Sequence, residues 1–177
     1  MLITQQLPVE QHRCVKQIQA SIDLHQPNVV IALGQATGHP DISIERIAIN
    51  LDDYPIKDNA GNQPIDETVI EGGENAYFSN LPIKAMVDAI RAKNLPARVS
   101  NSAGTYVCNH LFYGLMHHTI GKEIQAGFIH IPLIPEQVIN KPLPTLLLTE
   151  ISQALTAAIR CAVKLEKDIK QIGGQVA

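Results

Sequence analysis

Apolar positions recur along this chain with two periods, and the alternation between them predicts its elements. Cys14, Ile18 and Ile22 fall four apart, which marks one face of a helix that stops before Pro27. Residues 28–34 (NVVIALG) form a continuous β-branched run, the composition of a strand buried on both faces of a parallel sheet. Residues 3–9, closed by Pro8, and residues 46–51 read as further strands. Residues 52–67 contain DNAGN between Ile56 and Ile65, so they predict an irregular hairpin rather than a helical crossover. Ile83, Met86, Val87 and Ile90 give a second helical face, followed by a short strand at 97–101, a helix over 105–118 and a strand at 126–131. After a proline-rich surface loop from 132 to 144, a long helix starts near Thr145, with Leu148, Ile151, Leu155, Ile159 and Ala162 on one side. Strands alternating with helices predict an α/β fold in three layers around a largely parallel sheet.

Composition narrows the function classes. At 177 residues, 45% of them hydrophobic and with no linker or repeat, a single domain over 1–177 is the expectation. Fourteen basic against seventeen acidic side chains, without a basic cluster, argue against nucleic acid as a partner. Aromatic residues at 4% and the absence of Trp leave few stacking platforms. No apolar run approaches the ~20 residues of a membrane-spanning helix. The opening MLITQQ turns polar too early for the apolar segment of a leader. Three scattered cysteines suit neither a disulfide framework nor a structural zinc site, so a reduced, cytoplasmic protein without metal is expected.

The thiols differ in context. Cys14 and Cys161 lie within apolar helical faces and read as small buried hydrophobes. Cys108 follows SNSAGTYV, where a strand gives way to a helix, the region where open α/β sheets carry their sites. A helix N-terminus places partial positive charge and unpaired N–H groups beside the sulfur, which favours thiolate and can hold an oxyanion. Cys108 is therefore the candidate nucleophile.

A thiolate nucleophile requires a proton-exchanging partner, and seven histidines compete. His110 is two residues along the same helix and faces elsewhere. His117 and His118 fall at that helix's C-terminus, where cations favour the dipole. His12 and His25 flank the first helix, and His39 sits in a Gly/Pro loop. His130, inside the apolar strand GFIHIP, reads equally as a hydrogen-bonded core residue or as the catalytic imidazole. Asp41, Glu45, Asp52 and Asp53 all follow the 28–34 strand, and spacing does not choose which of them orients an imidazole.

Five blocks, in order, resemble the pyroglutamyl-peptidase I family of cysteine peptidases, also called pyrrolidone-carboxylate peptidases. They are GQATGH (34–39), ERIAINLDD (45–53), GNQPID (61–66), AGTYVCNHLFYGL (103–115) and GFIHIPLIPEQ (127–137). The resemblance implies a phosphorylase/hydrolase-like α/β/α domain with a mixed sheet that removes N-terminal pyroglutamyl (5-oxoprolyl) residues from peptides by thioester acyl transfer. It implies no cofactor and a cytoplasmic homotetramer. By motif, Cys108 is the nucleophile, His130 the proton shuttle and Glu45 the orienting carboxylate, while Gln35, Ile56, Tyr106 and Val107 surround the lactam ring.

Three departures accompany the resemblance. The family's opening strand and its Gly-Phe-x-Pro-Phe-Gly-Gly loop have no counterpart here, so the domain is expected to be N-terminally short and to lack the family's first strand. Pro55 stands where the family has an oxyanion-supporting Arg, and Thr37-Gly38-His39 replaces Gly-Gly-Arg. Together these carry an alternative reading, a catalytically impaired relative that acts as a binding subunit. A metal hydrolase built on His39, Asp41 and His117 or His118 is a weaker third reading, because no HExxH-like spacing is present.

Overall fold

The computed structural model describes residues 1–139 and 141–174. Its first element is helix α1 (Gln11–His25), whose apolar face buries Cys14, Ile18 and Ile22. It ends where Gln26 turns into the left-handed region and its N–H bonds Ile22 O, just before Pro27. Strand β1 (Val29–Gln35) follows, then β2 (Ile42–Glu45), β3 (Ile47–Ile49) and β4 (Ala76–Phe78). Helix α2 (Ile83–Arg91), β5 (Ala97–Ser100), α3 (Val107–Thr119), β6 (Gln125–Ile131) and α4 (Leu148–Lys164) complete the order.

The main sheet runs β1-β6-β2-β5, with β1/β6 and β2/β5 parallel and β6/β2 antiparallel. Because successive side chains on a strand point to opposite faces, each strand feeds two cores. Phe128 joins Cys14, Ile18, Phe112 and Leu115 on the side of α1 and α3, while Ile129 joins Ile42, Met86, Ile90 and Ile151 on the side of α2 and α4. The result is the expected three-layer α/β/α arrangement around a mixed, largely parallel sheet. Strands β3 and β4 form a separate antiparallel pair beside α3.

One expectation needs correction, and two features lie beyond what the sequence pattern predicts. Residues 3–9 form no strand: Leu2 and Ile3 are exposed, and the Thr4-Gln5-Gln6 centre offers no apolar face to pack against a neighbour. The 28–34 run is a strand with apolar contacts on both faces, as read, and among the described residues it pairs with β6 alone, so it lies at the edge of the sheet and leaves Leu33 48% exposed. Its composition reports apolar contacts on both faces (Val30 and Ala32 on one, Val29 and Ile31 on the other), and composition carries no information about edge pairing. Strands β2 and β4 were not anticipated; in β2 the alternation Ile-Ser-Ile-Glu is the period-2 signal, four residues long and broken by two polar residues.

Residues 52–67 close as an irregular hairpin on one bridge, with Asp52 and Glu67 exchanging backbone bonds of 2.7 and 3.0 Å. The 132–144 loop carries one 3₁₀ turn (Pro135–Gln137), and residue 140 within it lies outside the described residues.

Candidate active site

The site forms where the first turn of α3 meets the middle of the sheet. Gly104, at φ +76, reverses the chain after β5, and Tyr106 is the extended N-cap residue. Cys108 is the second residue of the helix, so the unpaired first-turn N–H groups surround it, and no acidic side chain in that turn offsets the dipole. Its neighbour Asn109 is fully buried and clamps the turn to the end of β3: Oδ1 accepts from Ile49 N–H at 3.0 Å, and Nδ2 donates to the carbonyls of Ile49 and Leu51 at 2.9 and 3.0 Å. Thr105 Oγ1 adds a 2.7 Å bond to Asp53 O. The position of the sulfur is thereby tied to two segments of the fold.

Beneath the sulfur lies Gly34. A Cβ at that position would stand 3.0 Å from Cys108 Sγ and 2.7 Å from Phe128 Cζ, so only glycine leaves room for the thiol. The sequence reading did not single out Gly34. Its signal was a glycine inside an otherwise β-branched strand, which marks close approach of another group.

His130 is buried on β6 directly opposite Gly34, and its ring lies 4.8 Å from that of Phe128. Its Nδ1 is 2.8 Å from Glu45 Oε1, the last residue of β2, and the Cys108 thiol lies near enough to act on the ring's protonation. Glu45 is fully buried, and its Oε2 has no partner among the described residues. Burial alone would push the imidazolium toward neutrality, but hydrogen bonds to Cys108 and Glu45, and their charges, hold the His130 pKa up at about 9 instead of 6.5. The shift is upward, so the stabilisation from this pairing is complete below about pH 6.5 and is lost as pH rises through about 9. At neutral pH His130 is protonated beside the thiol.

The other candidates fall elsewhere. Of the four carboxylates, Glu45 alone bonds His130: Asp41 pairs with Arg98 at 3.2 Å, Asp52 takes His110 Nδ1 at 2.7 Å, and Asp53 is exposed. His118 bonds Asp23, His117 bonds the Tyr77 hydroxyl, and the ring of His12 contacts that of His110. Burial raises the Cys14 thiol to about 12 and also raises that of Cys161, so neither is primed for chemistry.

Gln35 and Gln137 exchange side-chain amide bonds of 2.6 and 2.9 Å. Ile56 is 64% exposed. Tyr106 packs edge-on against Tyr54 and donates to Lys57 O, whereas the Val107 side chain is buried in the core and leaves only its backbone for a ligand. Among the described residues no cluster of three or more His, Cys, Asp or Glu side chains is placed to hold a metal ion. No helix among them is long and apolar enough to cross a membrane.

Comparison with known proteins gives a consistent picture. Residues 1–165 match the family model described as pyroglutamyl peptidase. The pyrrolidone-carboxylate peptidase of Aliivibrio fischeri (strain MJ11) is 47% identical over 171 residues, covering 97% of this chain and 81% of that protein. The enzyme of the same name from Erwinia tasmaniensis is 48% identical over 174 residues, covering 98% and 82%. Among solved structures, pyroglutamyl peptidase I from Bacillus amyloliquefaciens superimposes with a TM-score of 0.92 at 45% identity, covering 94% of this chain and 80% of that one. Pyrrolidone carboxyl peptidase from Thermococcus litoralis gives 0.90 at 35% identity, covering 94% and 81%.

Proposed function

This chain belongs to the pyroglutamyl peptidase family, a cysteine-type hydrolase that removes N-terminal pyroglutamyl residues from peptides, and from that membership we propose how its residues act. Cys108 is the nucleophile, His130 the acid and base, and Glu45 the residue that orients and charges His130. The observation that carries this assignment is the buried 2.8 Å bond from His130 Nδ1 to Glu45, with the Cys108 thiol close enough to raise the same ring's pKa.

The Cys108 thiolate attacks the pyroglutamyl carbonyl carbon, and the oxyanion that forms accepts bonds from N–H groups of the first turn of α3. Protonated His130 gives its proton to the departing amine as the C–N bond breaks, leaving a thioester on Cys108. The now neutral imidazole takes a proton from water, the hydroxide adds to the thioester, and the thiolate leaves with pyroglutamic acid released. His130 is protonated again, and the cycle closes with every proton held by these side chains or water.

The exposed Ile56 side chain, the Tyr106 ring, the Gln35 amide and the Val107 backbone are the proposed surroundings of the lactam. Pro55 supplies no donor to the oxyanion, which therefore rests on backbone N–H groups; one such donor is typically worth about 10²–10³ in rate. The protein is further proposed to work as one domain over 1–177, as a homotetramer, in the cytoplasm. Three unpaired thiols support a reducing compartment.

The direct test is hydrolysis of pyroglutamyl 2-naphthylamide against prolyl 2-naphthylamide, which lacks the lactam carbonyl. Release from the first and not the second is expected; no release from either by folded protein overturns the reading. With the same assay, Gly34→Ala is expected to lower kcat/KM by about 10- to 100-fold, because a methyl at 3.0 Å from Sγ moves the thiol off its line of attack. Activity within twofold of wild type would show that the close contact has no bearing on the chemistry.

A further inference from the structure

His130 has a second ring neighbour, in the loop between β1 and β2, whose position gives it a role. Strand order and register put Gly34, His130, Ser43 and Arg98 in one row across the face that α3 covers. Cys108 Sγ lies over Gly34, at the β1 end of that row. His39 lies toward the opposite end: its Nδ1 is 3.2 Å from Arg98 Nη2 and 3.4 Å from Ser43 Oγ, and its ring centroid is 6.0 Å from that of His130. His130 therefore stands between the thiol and His39.

A guanidinium only donates, so His39 Nδ1 accepts from Arg98 and the ring carries its proton on Nε2. Arg98 is itself fixed, with Nε 3.2 Å from Asp41 and donating to Ser43 Oγ at 3.0 Å. Burial first, then the charges of Arg98 and His130, hold the His39 pKa below its ordinary value, against a weaker pull from Glu45 and Asp41. The result is a neutral imidazole with a fixed Nε2–H on the side away from Arg98. This group has no hydrogen-bond partner among the described residues.

We infer that His39 Nε2–H binds the first carbonyl oxygen of the leaving peptide, which makes His39 a specificity-determining residue for the position after pyroglutamate. The inference rests on the peptidase reading above. The reacting carbon must sit at Cys108 and the leaving nitrogen at His130, so the peptide continues away from the thiol, across β2. Adjacent strands are about 4.8 Å apart, a step that one peptide unit (about 3.8 Å between Cα atoms) and a hydrogen bond span together.

The test compares two substrates that share the lactam. Pyroglutamyl-alanine amide carries the carbonyl in question, and pyroglutamyl 2-naphthylamide has an aromatic ring in its place. The readout is the ratio of kcat/KM for the first to kcat/KM for the second. In His39→Ala this ratio is expected to fall about tenfold, the size of one neutral hydrogen bond. His39→Gln, whose amide N–H reaches the place of Nε2–H, is expected to recover most of the ratio. An unchanged ratio in His39→Ala, or a Gln variant no better than Ala, overturns the inference while leaving the peptidase reading intact. Failure of wild type on both substrates overturns that reading and this inference together.

Discussion

Cys108→Ala is expected to hydrolyse a pyroglutamyl amide at least about 10⁴-fold more slowly than wild type while melting at nearly the same temperature. The large kinetic effect follows from the role of the thiol: the neighbouring Ser43 hydroxyl is held by Arg98 and Asp41 and has no helix N-terminus to activate it. Cys108→Ser is expected to fall almost as far, because a hydroxyl held in the same place is not ionised by an imidazolium. The small thermal effect follows from the packing. The thiol is only half-buried, and the first turn of α3 is held by Asn109 and Thr105 rather than by the sulfur. Iodoacetamide provides an independent readout. In wild type near neutral pH, Cys108 is expected to be alkylated much faster than Cys14 and Cys161, both of which burial holds in the thiol form. Turnover by Cys108→Ala within tenfold of wild type, or equal alkylation of Cys161, would place the nucleophile elsewhere.

What could be read in the sequence divides along a physical line. Helices α1, α2 and α4 were legible because one apolar stripe per helix leaves a period, and β5 and β6 because short apolar runs sit between turn residues. The edge position of β1 and the missing strand at 3–9 were not legible, because pairing depends on neighbours that composition does not name. The same holds for the site. Cys108 stood out through its place at a strand-to-helix junction, a local property. His130 could be narrowed only to two readings, and Glu45 only to one of four carboxylates until the family resemblance chose it. The reason lies in the register: Glu45 and His130 are 85 positions apart and become neighbours only because β2 runs antiparallel to β6. Gly34 lies opposite His130 for the same kind of reason. Helical geometry turns His110 away from Cys108, and its buried bond to Asp52 depends on tertiary packing that spacing does not encode.

Glu45 carries the second large prediction, because it acts on the reaction only through His130. Glu45→Gln is expected to reduce kcat/KM by about 10³–10⁴, by analogy with the orienting carboxylate of the serine-protease arrangement. Two effects combine. The amide no longer stabilises the imidazolium by charge, and its NH₂ group can turn toward Nδ1 and favour the wrong tautomer. The pH profile separates these effects from simple loss of structure. In wild type the raised His130 pKa keeps the imidazolium available up to about pH 9, so the alkaline limb of kcat/KM falls there. With Glu45 neutral, the remaining support comes from Cys108, and burial pulls the other way. The alkaline limb is therefore expected to move to lower pH, and the stability that the charged Glu45–His130 pair confers on wild type to be absent from this variant. Glu45→Ala should cost more in stability, about 3–5 kcal/mol, since it leaves a buried imidazolium beside an empty space. A Glu45→Gln enzyme that loses activity with its alkaline limb still near pH 9 would mean that the carboxylate merely fills space and does not set the protonation of His130.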